Sequence, residues 1–250
     1  MKTMTKLSLI AAAIVASPVM AEEKASEIKT TAELGVLITT GNTESSSILG
    51  KITVDHKFGS WENKYTGNIL KKDTEVVNDA GEKETRTTDD KYSVAGQANY
   101  KFDSTSSAFG RASYANDKEG AYETAISVTG GYSFRAVEKE NMFLDLNAGA
   151  GFTELTPQNG TAEDSSVYRA AAAFEWQIND MTKFVQNVSV ERAPDLDNPN
   201  TQTISETGVS ASFNSSMQMK FGYKTVTNSS VAPGFEKTDT ETSVTLVVNF

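Results

Sequence analysis

Counted back from the last residue, Phe250, Val248, Leu246, Val244 and Thr242 share one parity, with Asn249, Val247, Thr245 and Ser243 between them. A period of two is the mark of a strand with one apolar face. A strand of this kind ending on an aromatic carboxylate is the pattern by which outer-membrane β-barrels close and are recognised for assembly.

The same period recurs in twelve segments of membrane-strand length along the chain. Thr31 to Thr39 carries Ala32, Leu34, Val36 and Ile38 on one face; Ser47 to Phe58 carries Ile48, Ile52, Val54 and Phe58. Trp61 to Lys71 is led by Trp61, Tyr65 and Ile69, and Lys91 to Phe102 by Tyr92, Val94, Ala98, Tyr100 and Phe102. Ser107 to Ala115 is ambiguous in register. Ala125 to Arg135 shows Ile126, Val128, Tyr132 and Phe134; Asn141 to Thr153 shows Met142, Leu144, Leu146, Ala148, Ala150 and Phe152. Val167 to Ile178 presents Tyr168, Ala170, Ala172, Phe174, Trp176 and Ile178, whereas Lys183 to Glu191 is again ambiguous. Thr203 to Phe213, Ser216 to Thr227 and the terminal strand complete the set.

The opposite faces hold Lys51, Asp55, Gln97, Lys101, Arg111, Arg135, Asp145, Asn147, Arg169, Glu175, Lys220, Lys224 and Glu241. One face suits lipid and the other a polar interior. An unpaired peptide group in hydrocarbon costs several kcal/mol, so such strands can span only as a closed ring. The expectation is an all-β fold, a 12-stranded antiparallel transmembrane β-barrel of the bacterial outer membrane, whose last strand pairs with Thr31 to Thr39. An even count places both termini on one side, read as periplasmic.

The connections alternate in length, as a barrel with short periplasmic turns and longer extracellular loops requires. Gly59-Ser60, Asp103 to Ser106, Ala136 to Glu140, Asn179-Asp180 and Asn214-Ser215 are short. Asp73 to Asp90, Asn116 to Glu123, Glu154 to Ser165, Arg192 to Gln202 and Asn228 to Thr238 are longer, and only Thr40 to Ser45 breaks the pattern. Pro157, Pro194, Pro199 and Pro233 all fall in long loops, where a missing N–H costs no ladder bond. Phe58, Trp61, Phe102, Phe134, Phe143, Trp176, Phe184, Phe213 and Phe250 are expected near the periplasmic rim, and Tyr92, Tyr114, Tyr122, Phe152, Tyr168 and Tyr223 toward the outer one.

Composition agrees with export. Lys2 and Lys6 precede the apolar run Leu7 to Ala16, and Val19-Met20-Ala21 offers a cleavage site, so residues 1–21 read as a signal peptide and 22–250 as one barrel domain. No later run of about 18 apolar residues could form a transmembrane helix. The remaining chain has 21 basic and 33 acidic residues, which argues against nucleic acid or an anionic surface as partner. It contains no cysteine, excluding disulfides and thiolate metal sites.

The first strand followed by Thr40-Gly41-Asn42-Thr43, the Pro233-Gly234 loop before Thr238-Asp239-Thr240, and the terminal Phe250 resemble the salt-induced outer-membrane protein family, a domain of unknown function. The resemblance implies an outer-membrane location in Gram-negative bacteria and a link to salt or osmotic conditions. It supplies no catalytic, cofactor or metal residues. Gly41-Asn42 reads as a turn.

Three chemistries are weighed on the residues. His56 is the only histidine, so a Ser-His lipid hydrolase would need it; a structural or interfacial role is preferred. Asp195-Leu196-Asp197-Asn198, and the acidic stretch with Asp73, Glu75, Asp79, Glu82, Glu84, Asp89 and Asp90, offer oxygen ligands without EF-hand spacing and read as solvated acidic loops. Lumenal Lys51, Arg111, Arg135, Asp145, Arg169 and Lys220 could line a narrow passage or plug it. The preferred reading is a non-enzymatic, monomeric outer-membrane barrel with an envelope or osmotic-stress role. Its expected partners are lipid, lipopolysaccharide and, through Phe250, the assembly machinery. A soluble periplasmic barrel that binds a ligand is the remaining alternative.

Overall fold

A computed structural model describes residues 26–39, 45–77, 83–118, 120–158, 160–231 and 236–250. The proposed signal peptide, the turn Thr40 to Thr43, Pro233-Gly234, Asp79 and Glu82 lie outside the described residues. The twelve strands are β1 (Glu27–Thr39), β2 (Ser45–Phe58), β3 (Trp61–Val77), β4 (Lys83–Lys101), β5 (Ser106–Asp117) and β6 (Tyr122–Lys139), then β7 (Met142–Pro157), β8 (Glu163–Asn179), β9 (Thr182–Ala193), β10 (Asn200–Ser212), β11 (Met217–Asn228) and β12 (Thr238–Asn249). Each pairs antiparallel with its neighbours in sequence, and β12 returns to β1, giving a closed barrel.

Closure occurs where the alternation places it. Ala32 faces Val248 and Leu34 faces Leu246, while Phe250 and Thr30 exchange both backbone hydrogen bonds at 2.8 and 3.3 Å. Among the described residues four register pairs between β1 and β12, with Thr30–Phe250 beyond them, make this seam, against eleven or more in every other ladder.

The barrel is apolar outside and polar within. Ile28, Leu34, Ile52, Ile69, Val94, Phe152, Tyr168 and Phe221 are each more than half exposed. A water-soluble barrel would hide such side chains, and an exposed belt this continuous fits lipid. The soluble alternative therefore loses its physical basis. Inside, Thr129, Thr153, Ser165, Asn200, Asn228 and Thr245 are among the buried residues.

Two ambiguous registers resolve. Phe109 on β5 points inward, opposite Gly131, and is buried, whereas Ala108, Ala112 and Tyr114 face out. On β9, Phe184, Val188 and Val190 face out and Val185 faces in. Space for Phe109 comes from inward glycines on β6 and β7: its ring tip is 2.9 Å from where a Cβ of Gly149 would stand. At Gly131 and Gly151 a Cβ would lie 2.1 and 1.9 Å from the carbonyl oxygens of Ala148 and Val128, so no side chain fits there. Glycine kinks of this kind bend a sheet into a barrel corner.

Several hairpins run further than their apolar periods. Asp73, Glu75, Glu84, Asp89 and Asp90, expected in a loop, lie on β3 and β4. Beyond the lipid both faces of a hairpin are wet, so pairing continues on polar contacts such as Thr87 Oγ1 donating to Asp73 at 2.7 Å, with no hydrophobic period to mark it. Pro157 is likewise the last residue of β7 rather than a loop residue, a strand end where proline is tolerated. Phe143 lies on the inner face, where the Arg135 guanidinium sits 4.5 Å from its ring centre, so it is not part of the outer aromatic girdle.

Three tight turns share one device. Asp103 accepts the backbone N–H groups of Thr105 and Ser106 at 2.8 and 2.7 Å. Asn179 does the same for Met181 and Thr182, and Asn214 for Ser216 and Met217. Such Asx turns mimic a backbone turn. The Thr105 and Ser106 N–H groups hold the Asp103 carboxyl below its ordinary value of 3.8. The folded value being the lower one, its contribution to stability is complete above the unfolded value and is lost as pH falls through the folded one. Carboxyl-carbon NMR of labelled Asp103 in micelles should show a midpoint under 3.8; a midpoint at or above that would refute the turn contact.

Candidate functional site: the lumen

Inward side chains from all twelve strands line one cavity of about 990 Å³. Its wall includes Ser104, Thr105 and Ser106 at the turn end and Asn116, Asp117 and Asp239 at the loop end. Each of the lumenal charges expected from the sequence, namely Lys51, Arg111, Arg135, Asp145, Arg169 and Lys220, lies on this wall.

The structure sorts them into groups. Lys220 on β11 reaches Glu33 on β1 at 3.1 Å and Glu206 on β10 at 3.2 Å, and Lys51 on β2 reaches the same Glu206 at 3.4 Å. Two cations and two carboxylates thus tie together strands on both sides of the β1–β12 seam. Thr245, fully buried beside Lys220 in register, fills the wall beneath them. Charges removed from bulk water must be paired in this way or they oppose folding.

Near the turn end Arg135 on β6 grips Asp145 on β7 through two guanidinium nitrogens and also meets Glu138 at 3.6 Å. Lys101 and Lys57 share Glu62, each at 3.4 Å, and Lys183 pairs with Glu175 at 3.3 Å. On the wall away from the seam, Arg169 donates to Glu191 at 3.0 Å and to Asn147 at 2.5 Å.

The loop end is narrowed by a short segment that folds inward. Leu196 is buried with Leu155 and Ala193 against Tyr122 and Ala125. Its neighbours hold it there: Asp195 accepts the Ser166 N–H at 3.0 Å, and the Asp197 N–H donates to Glu163 at 2.9 Å. Ser166, first through its hydroxyl and then its N–H, keeps the Asp195 carboxyl below its ordinary value. The Asp195 carboxylate, one of the groups considered as a metal ligand, is thus a loop tie, while Asp197 is held through its backbone N–H. Beside this segment the buried Asn200 and Asn228 bond each other at 2.9 Å, and Ser230 N–H donates to Asn200.

His56 lies outside the lumen, on the lipid-facing side near the turn end, opposite Ile28 and Asn63. Its Nε2 is 2.9 Å from Ser26 Oγ, and its ring stands 4.9 Å from Phe58. The serine partner was not foreseen, since it lies in the stretch before the first periodic segment. A nucleophile–base pair needs a third group to orient the base. Among the described residues no carboxylate bonds this ring.

With this geometry in place, comparisons with known proteins place the chain. A family model described as "Protein of unknown function, DUF481" matches residues 32–250. The chain belongs to the DUF481 family. Within curated proteins it is similar to the "Uncharacterized protein YdiY" of Escherichia coli (strain K12), 26% identical over 215 residues, covering 85% of this chain and 79% of the relative. Among solved structures, an outer-membrane channel from Pseudomonas putida F1 superposes with a TM-score of 0.51 at 9% identity, covering 92% of this chain and 97% of that one. The translocator domain of the autotransporter NalP from Neisseria meningitidis aligns at 0.47 and 14% identity, covering 98% and 94%. The DUF481 barrel thus has the fold of outer-membrane barrels, in agreement with the family resemblance drawn from the first and last strands.

Glu206 is the shared anion of the seam cluster, so Glu206→Gln leaves Lys51 and Lys220 short of a partner. Removing one partner of a buried pair costs about 3–5 kcal/mol. Since Lys220 and Glu206 keep 17% and 28% of their side-chain exposure, lumenal water reduces the expected loss to about 1–3 kcal/mol. Urea titration of the variant folded in micelles should read this loss as a lower midpoint, and an unchanged midpoint would show the cluster to be energetically idle.

Proposed function

We propose that this DUF481 protein is an outer-membrane channel for small polar solutes. Its tight turns and both termini stand in the periplasm, after removal of residues 1–21. The observation that carries this reading is the lumenal cavity whose polar wall includes Ser104–Ser106 at the turn end and Asp117 and Asp239 at the loop end. A structural barrel would gain more from an interior filled by side chains, as in the smallest barrels. The exposed apolar belt supports residence in lipid and contact with lipopolysaccharide. The salt or osmotic setting comes from the family resemblance and is proposed as the physiological context.

A second reading has its own support. The Lys51–Glu206–Lys220–Glu33 cluster and the inward segment at Leu196 both occupy lumenal space, as a plugged barrel with a purely structural role would need. Hydrolysis of lipid has less: the Ser26–His56 pair is exposed and lacks an orienting acid among the described residues. Purified protein in planar bilayers should give discrete conductance steps. No steps at protein densities confirmed by antibody labelling would favour the structural barrel.

Assembly is proposed to depend on the terminal strand and the outer-membrane assembly machinery, with the barrel acting as a monomer. Phe250 supplies the last two backbone hydrogen bonds of the seam, to Thr30. Deleting it should leave aggregated periplasmic protein and little heat-modifiable barrel in the outer membrane. Normal insertion of the shortened chain would count against this role.

A further inference from the structure

We infer that the wall formed by β5 to β9 is a binding site for small carboxylate- or phosphate-bearing solutes, centred on Arg111 with Arg169; this rests on the channel reading. Arg111 is inward on β5, half-buried, and donates to Ser113 Oγ at 2.7 Å. Among the described residues no carboxylate lies within ion-pair distance of it. In this it differs from Lys51, Lys101, Arg135, Arg169, Lys183 and Lys220, each of which has a carboxylate partner. Glu191 and Arg169 lie within electrostatic reach of Arg111. Glu191 is already engaged by Arg169 at 3.0 Å. Glu191 is thus committed to Arg169, and Arg111 is left without a carboxylate of its own.

The seam cluster on the other side balances two cations with two anions. Near the turn end Lys57 and Lys101 also share one carboxylate, Glu62, but each stays within ion-pair distance of it, which sets Arg111 apart. Asn147, Asn187 and Ser189 line the same cavity and add neutral polar groups around the arginines.

The chemistry selects an anion with paired oxygens. A guanidinium presents a planar fork that matches a carboxylate or phosphate edge. A solute anion would supply the partner that Arg111 lacks, and its bond to Arg111 has to be weak enough to release, as conduction requires. The acidic loop end, with Asp117 and Asp239 on the lining, repels an anion's other carboxylates and so favours solutes of low negative charge.

The test compares wild type with Arg111→Gln, and with Arg111→Lys to keep the charge but lose the fork, all verified as folded by heat-modifiable mobility. Inorganic phosphate is the probe, because it carries no other recognition group. In bilayers under a potassium chloride gradient, wild type should favour chloride, and phosphate should reduce the current saturably. Arg111→Gln should shift the reversal potential toward potassium and weaken phosphate block by roughly tenfold or more, the effect of losing one charged hydrogen-bond donor. Arg111→Lys should keep the chloride preference and lose most of the block. If wild type conducts but neither property changes in Arg111→Gln, this inference fails while the channel stands. If nothing conducts, calorimetry of phosphate binding in micelles decides: saturable binding lost in Arg111→Gln keeps the site without a channel, and no binding by wild type removes both.

Discussion

The backbone hydrogen bond is the constraint on which the rest of this structure depends. In hydrocarbon no water relieves an open edge, so every strand must pair on both sides and the sheet must meet itself. Thr30 and Phe250 complete that circuit. Once the ring is closed, the alternation of side chains has no freedom left: one parity faces lipid and the other faces the lumen, and a one-residue slip would exchange them. Ile52 and Lys51, adjacent in sequence, therefore live in opposite solvents.

Closure in turn decides what the interior must be. Twelve strands enclose more volume than nonpolar side chains on one parity could fill, and this parity carries charge instead. Its charges organise by proximity across strands: Lys220 with Glu33, 187 positions apart in sequence, and Lys51 with Glu206, 155 apart. The interior is held by electrostatics and by glycine-permitted close approach at Gly131 and Gly151, while the exterior is held by solvation in lipid. This reverses the division of labour in a soluble domain.

Much of this was legible in the chain. The outward residues of ten segments follow from parity alone, and so do the inward positions of Lys51, Arg111, Arg169 and Lys220. Where parity carried no contrast, it failed. Phe109 sits between Ala108 and Gly110, too small to mark an outer face, so its inward direction needed the glycines of β6 and β7. The ends of β3 and β4 could not be read, because beyond the lipid neither face is apolar. The Asx turns were readable in principle: Asp103, Asn179 and Asn214 each stand at the start of a tight turn, and their shared spacing was the missed signal. The pairing of Lys51 with Glu206 was beyond reach, since it depends on which strands lie beside the seam.

A ring of unequal ladders is not mechanically uniform. Eleven of the joints between strands carry eleven or more paired positions, whereas β1 and β12 share four. The β1–β12 joint therefore offers the fewest backbone pairs against lateral tension in the surrounding bilayer. The Glu33–Lys220–Glu206–Lys51 contacts bridge the same line from inside, a brace laid across the weakest joint. The hold across this joint is thus partly ionic, so salt that screens lumenal charge weakens the brace where backbone pairs are fewest.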